Sequence, residues 1–234
     1  MTAAMVLAAG RGERMRPVTD RMPKPLVRVG GRPLIDHVLD RLAAAGVARA
    51  VVNLWYLADL IAAHLAGRTA PVITLSREET LLDTGGGVAK ALPELGPEPF
   101  YVLSSDGLWR DGATPALARL AAAWDDDAMD ALLLLQPMQA AIGFDGASDF
   151  FIEADGRLAR RGGAASAPYA YMSIQLMHPR AFGGCPAGAF SNNWVWDRAR
   201  AAGRLFGMVH DGEWCHVGDA AGLAAADAWL DSGA

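Results

Sequence analysis

A chain of 234 residues with 52% hydrophobic content carries enough apolar material for a sizeable core, and one α/β domain spanning 1–234 is expected. A formal net charge of -5 argues against a nucleic-acid backbone or an anionic membrane surface as the main partner. Two cysteines, no basic leader and no run of roughly 18 to 20 apolar residues argue against a disulfide scaffold and a spanning helix, and point to the cytoplasm.

Ala3 to Leu7 is a short apolar run that reads as a buried strand. Gly10-Arg11-Gly12-Glu13-Arg14-Met15-Arg16 follows, where two glycines permit a tight turn and three arginines supply charge, a loop built for an anion. Lys24 then stands between Pro23 and Pro25. Of the 21 basic residues only Lys24 and Lys90 are lysines, and a compact cation on so stiff a segment suits contact with a phosphoryl oxygen. Leu26 to Val29 reads as extended. Arg32-Pro33 opens a helix to about Ala45, with Leu34, Ile35, Val38, Leu39 and Leu42 at helical spacing and Gly46 as its stop. Val47 to Asn53 is a second strand, Leu54 to Leu65 a second helix and Pro71 to Leu75 a third strand. This alternation predicts a parallel sheet with helices on its faces.

Arg77 to Thr84 is polar and leads into Gly85-Gly86-Gly87, with a short helix expected over Val88 to Leu92. Backbone N–H groups and the positive end of a helix dipole would then face an open crevice. Phe100 to Leu103 is a strand running into Ser104-Ser105-Asp106. A carboxylate just past a rigid strand end is placed to bind a metal, and an Asx turn is its plain alternative. Asp111 reads as a cap for a helix from Thr114 to Trp124, and Asp125-Asp126-Asp127 as a solvated turn. Ala128 to Gln136 is a strand, and Met138 to Gly146 a loop. Asp149 to Glu153 with Arg157 to Arg160 form a hairpin, and Tyr169 to Met177 a strand returning to the main sheet. Asn192 to Ala202 is a helix whose Trp194 and Trp196 read as packing residues. Arg204 to His210 and Trp214 to Val217 are the last strands about an Asp211-Gly212 turn, and Asp219 caps a final helix from Ala220 to Leu230.

Leu7-Ala8-Ala9-Gly10-x-Gly12-x-Arg14-x-x-Pro17-x-Thr19, followed by Pro23-Lys24-Pro25-Leu26, resembles the signature of the sugar-1-phosphate nucleotidylyltransferases. Asn53 with Tyr56-Leu57-Ala58, the run Thr84-Gly85-Gly86-Gly87, the strand-end Asp106 and Trp214-x-x-Val217-Gly218 extend the resemblance over essentially the whole chain. Within that family the chain looks most like the small bacterial N-acetylmuramate-1-phosphate uridylyltransferases of cell-wall recycling. The Gly triplet, Ser173-Ile174 before His178-Pro179, and Gly188-Ala189-Phe190 carry that likeness.

The resemblance implies a Rossmann-like, three-layer α/β/α nucleotidyltransferase fold with a mixed, mainly parallel sheet and a small antiparallel addition. Residues 1–110 would form the nucleotide-binding half and 111–234 the sugar-phosphate half, in a monomer or small homo-oligomer with no appended domain. It implies that a nucleoside triphosphate, UTP first, meets Leu7, Ala8, Ala9, Gly10, Gly12, Arg14, Asn53, Thr84, Gly85 and Gly86. A sugar 1-phosphate, N-acetylmuramate 1-phosphate among the candidates, would meet Lys24, Ser173, Asn193 and His216. Arg14 would hold the departing phosphates, Lys24 would draw the α-phosphate and sugar phosphate together, and Asp106 would hold Mg²⁺.

One departure matters: relatives place a second metal carboxylate where this chain has His216. Mg²⁺ held by Asp106, phosphates and water alone is the favoured account; Asp219 reaching in, or His216 with Mn²⁺, are the others. A catalytically silent binding relative, and a cytidylyl- or guanylyltransferase, are the competing functional readings.

Overall fold

Ala3, Ala4, Met5 and Val6 are all buried, as expected for a strand covered on both faces. In the computed structural model, which describes residues 1–232, this strand β1 (Ala3–Leu7) pairs in parallel with β4 (Arg49–Leu54) and β6 (Phe100–Ser104). Between β1 and β4 lie the short ribbon β2 (Arg28–Val29) and β3 (Arg32–Pro33), then helix α1 (Leu34–Ala44). Helix α2 (Ala58–Leu65) leads to the edge strand β5 (Val72–Arg77), and α3 (Asp83–Leu95) leads to β6.

The second half begins with β7 (Gly107–Arg110) and α4 (Ala116–Ala123), whose first amide donates to Asp111 Oδ1, the expected cap. Next come β8 (Ala131–Pro137), β9 (Ala141–Ile142), the hairpin β10 (Phe150–Ile152) and β11 (Leu158–Arg160), and β12 (Tyr169–Met177). Helix α5 (Asn192–Ala201), β13 (Leu205–Val209), β14 (Glu213–His216) and α6 (Ala220–Asp231) complete the order, with Asp219 Oδ1 capping α6 through the Gly222 amide.

The main sheet runs β11-β10-β12-β6-β1-β4-β5, with β8 on β12 and β13 on β8. Its β1, β4, β5 and β6 are mutually parallel, while β12 runs antiparallel to β6 and β8. Ile35, Val38 and Leu39 of α1, Ile61 of α2 and Leu117 of α4 pack on one face. Val88 and Ala91 of α3 and Val195 and Trp196 of α5 pack on the other, which makes the three layers. Trp196 also donates from Nε1 to Gln175 Oε1 at 2.8 Å, the packing role expected of it.

A smaller sheet, β7-β14-β9, has its own core of Met15, Val27, Leu108, Cys215, Val217 and Trp229. This corrects one expectation: β13 and β14 do not pair about Asp211-Gly212. The first joins the main sheet beside β8, and the second crosses to β7. Among the described residues no helix is long and apolar enough to cross a membrane.

His210, 3% exposed, follows β13 and has Nε2 3.0 Å from the Arg110 carbonyl oxygen. Burial holds its pKa below the ordinary histidine value, so the ring is neutral in the fold at neutral pH. The unfolded ring titrates at about 6.5, so this contribution is complete above that pH and is lost as pH falls through the lower folded pKa. The urea midpoint should therefore drop between about pH 7.5 and about pH 5.5, and His210→Gln should shrink that drop. An equal drop in both proteins would remove His210 from the account.

Candidate active site

The carboxyl ends of β1, β4 and β6 open onto a cleft of about 600 Å³, the position where open parallel sheets hold ligands. It is lined by Leu7 to Arg14, Lys24-Pro25, Asn53, Leu81, Asp83-Thr84, Ser104 to Asp106, and Gly218. The phosphate loop is shaped by its glycines. Gly12 has φ +66, and a Cβ there would lie 2.9 Å from Lys24 Cβ and 3.0 Å from Thr19 Cγ2. Thr19 Oγ1 also donates to Gly12 O at 2.8 Å, so the loop and the Lys24 stem form one packed unit. Gly10 has nothing within 4 Å of its would-be Cβ and borders open space.

Lys24 Nζ sits 2.7 Å from Asp106 Oδ2, with the two side chains 12% and 19% exposed. Burial opposes ionisation of Asp106, yet the Lys24 ammonium and the His216 ring bring its pKa below the usual carboxylate value. Its other oxygen, Oδ1, is buried without a hydrogen-bond partner among the described residues. Arg14 is exposed on the same cleft and has no ion-pair partner among the described residues. Arg11 lies over the Trp55 ring at 4.7 Å, and Arg16 pairs with Asp20 at 3.3 Å on the surface.

His216 is the register partner of Gly107, which brings it beside the Asp106 turn. Burial lowers its pKa against the nearby Asp106 carboxylate, and its Nδ1 is buried without a partner among the described residues. Its ring packs edge-on to Phe144 at 5.7 Å. Asp219 accepts from the Gly222 amide through Oδ1 at 2.8 Å, the α6 cap. Ser173 stands in the irregular stretch of β12 between Tyr171 and Gln175 with φ +61, a rare value for serine. The preceding Met172 carbonyl oxygen is 3.4 Å from the would-be Cβ of Gly107, so this bulge borders the Asp106 turn. Asn193, in the first turn of α5, has its amide on Ser191 Oγ at 3.2 Å. Ser173, Asn193, His216 and Asp219 lie outside the cleft lining given above.

The Gly triplet departs from expectation. Gly85, Gly86 and Gly87 do not lead into a helix; they lie inside α3, which begins at Asp83. The reason is packing, since a Cβ on Gly85 would meet Phe190 Cε2 at 2.5 Å and one on Gly86 would meet Gly188 O at 2.4 Å. The Gly86 amide already donates to Phe190 O at 2.9 Å, and neither Gly85 nor Gly86 lines the cleft. Thr84 does line it, as do Leu81 and Asp83, which no motif in the sequence singles out. The available signal was a polar Asp-Thr pair just ahead of the glycines. Asp83 adopts φ +59 and turns the chain into α3.

A profile of the family described as Nucleotidyl transferase matches residues 3–144. The chain is 44% identical over 232 residues to an N-acetylmuramate alpha-1-phosphate uridylyltransferase of Caulobacter vibrioides, covering 97% of this chain and 96% of the relative. It is 33% identical over 229 residues to the protein of that name from Neisseria meningitidis serogroup B, covering 96% of each. Among solved structures, a UDP-glucose pyrophosphorylase complexed with UDP-glucose superposes with a TM-score of 0.78, at 16% identity and 99% coverage of both chains, which shows a shared fold.

Proposed function

Because the chain belongs to the nucleotidyl transferase family, we propose that it transfers a uridylyl group from UTP to N-acetylmuramate α-1-phosphate and releases pyrophosphate. The observation that supports this best is the convergence of Arg14, Lys24 and Asp106 on one cleft at the ends of the parallel strands. An oxygen of the sugar phosphate attacks the α-phosphorus in line. A new P–O bond forms, the bond to the β-phosphate's bridging oxygen breaks, and pyrophosphate leaves with that electron pair. The protein supplies position and charge rather than a covalent intermediate. Lys24 draws the two reacting phosphates together, and Arg14, unpaired and exposed on the cleft, takes the departing pyrophosphate.

Mg²⁺ enters the proposal through Asp106. The partnerless Oδ1 is a hard oxygen of the kind a divalent ion takes, and it fits that role. No cluster of three or more His, Cys, Asp or Glu placed for a metal occurs among the described residues, and Asp219 has Oδ1 engaged in its cap. The ion would therefore be held by Asp106 together with substrate phosphates, and would supply neutralisation of phosphate charge. Mn²⁺ becomes the better candidate if His216 joins Asp106. Action in the cytoplasm, on sugars recovered from the cell wall, belongs to the same reading; the unpaired thiols Cys185 and Cys215 agree with that compartment.

Purified protein with Mg²⁺ and a matrix of nucleoside triphosphates and sugar 1-phosphates should release pyrophosphate fastest with UTP and N-acetylmuramate α-1-phosphate. A faster pair elsewhere in the matrix reassigns the substrates. Silence throughout, with Mn²⁺ as well, sinks the enzyme reading.

A further inference from the structure

Two side chains, Asn53 and Glu78, tie the two sides of the cleft together. The Ala8 amide, in the phosphate loop, donates to Asn53 Oδ1 at 2.8 Å. Asn53 Nδ2 donates to Glu78 Oε1 at 2.8 Å, and Glu78 Oε2 accepts from the Leu82 amide at 2.9 Å. The chain of bonds therefore runs from the loop after β1, across the end of β4, to the segment Leu81-Leu82-Asp83-Thr84 that forms the facing wall. Asn53 is 3% exposed and Glu78 7% exposed, and Glu78 has no ion-pair partner among the described residues. A buried carboxylate left without a cation is costly unless its hydrogen bonds are well made. Here they are made by an amide side chain and a backbone N–H.

The third glycine belongs to the same device. A Cβ on Gly87 would lie 2.7 Å from Asn53 Nδ2 and 3.0 Å from Glu78 Oε1, so that position stays empty for the pair to meet. The brace also ends beside Asp83, whose left-handed φ of +59 needs a neighbourhood that holds it. Asn53 lines the cleft, but its carbonyl oxygen and one amide hydrogen are spent on this network.

We propose that Asn53 and Glu78 are positioning residues that fix the spacing between the triphosphate loop and the Leu81 to Thr84 wall, so that one nucleotide is gripped by both. This rests on the reading of the cleft as a nucleoside triphosphate site. It makes Asn53 a spacer behind the loop rather than a ligand, and gives Glu78 a role that its lack of contact with the cleft would otherwise hide.

The polarity of the network provides the test. Asn53→Asp sets two carboxylates against each other, and Glu78→Gln turns an N–H toward another N–H at one end. In the double variant each bond returns with the middle one reversed: the introduced carboxylate accepts from Ala8 and from the introduced amide, whose oxygen accepts from Leu82. UTP binding by calorimetry, KM and kcat for each substrate, and the unfolding midpoint are measured for all four proteins. Each single change should weaken UTP binding and raise its KM by ~10-fold, about the cost of one buried hydrogen bond turned against itself. The KM of the sugar phosphate should stay as in the wild type, and the double variant should recover most of the UTP affinity. Singles that bind UTP like the wild type, or a double variant no better than the singles, overturn the brace while leaving uridylyl transfer standing. A wild-type protein that binds no nucleoside triphosphate overturns both. If Asn53→Asp does not fold, Glu78→Gln decides, because it keeps the side-chain shape and disturbs a single bond.

Discussion

Lys24→Ala and Asp106→Ala should each lower kcat by at least ~10²-fold, as removal of a charge partner in the transition state does. The argument is geometric. Lys24 is fixed at both ends, its backbone by flanking prolines and its ammonium by Asp106 Oδ2 at 2.7 Å, while its stem lies against Gly12. Lys24→Arg should not restore the rate, because a longer planar fork cannot fit where the stem already lies against Gly12. Lys24→Ala also leaves a poorly solvated carboxylate with neither oxygen paired, so a lower unfolding midpoint should accompany the lost rate. The double variant should cost far less than the product of the two single losses, since the residues act as one unit. Pyrophosphate release at saturating substrate, read beside the melting curves, checks all of this. A turnover that survives either change removes that residue from the chemistry.

How much of the fold is legible in the sequence follows from the range of the forces involved. Strand β1 and helix α1 announce themselves because continuous apolar residues and a helical apolar spacing are local signals. Strand β7 does not. Gly107-Leu108-Trp109-Arg110 is too short to show a period, and it becomes a strand only because β14 pairs with it from more than a hundred residues away. The split of β13 and β14 between two sheets is hidden for the same reason, since a plausible turn lies between them.

The site divides likewise. Lys24 and Asp106 each stand out by local chemistry, a stiff lone lysine and an acid at a strand end, but nothing in an 82-residue separation says that they meet. Asn53 was legible only through the family resemblance, and its partner Glu78, 25 residues on, not at all. Second-half residues singled out by resemblance, Ser173 and His216, come to the border of the Asp106 turn through strand register, which sequence spacing cannot express.

The Gly triplet is where local propensity and tertiary packing conflict most openly, and it yields a second large expected effect. Glycine costs roughly 1 kcal/mol per position against alanine within a helix, so propensity alone would exchange it. Gly86→Ala should instead destabilise the protein. The new methyl would sit 2.4 Å from Gly188 O, a backbone atom that cannot rotate away as a side chain could. Nor can the opposing segment retreat freely, because the Gly86 amide bonds to Phe190 O at 2.9 Å and the Phe190 amide to Leu82 O at 3.1 Å. Overpacking typically costs about 1–3 kcal/mol, and a lost backbone bond adds about 1 kcal/mol. Less the ~1 kcal/mol that alanine gains in helix propensity, that leaves about 1–3 kcal/mol, a fall of roughly 2–12 °C in the unfolding midpoint for a chain of this size. The damage should reach the cleft as well, since the Asn192 amide at the start of α5 is tied to Thr84 Oγ1 at 2.9 Å. UTP affinity should therefore fall together with stability. Gly163→Ala is the control, with nothing within 4 Å of its Cβ and no left-handed φ; there the same methyl should be neutral or slightly stabilising. Equal midpoints for the two variants would show that the segment at Gly188 yields, and that the triplet owes its place to something other than close contact.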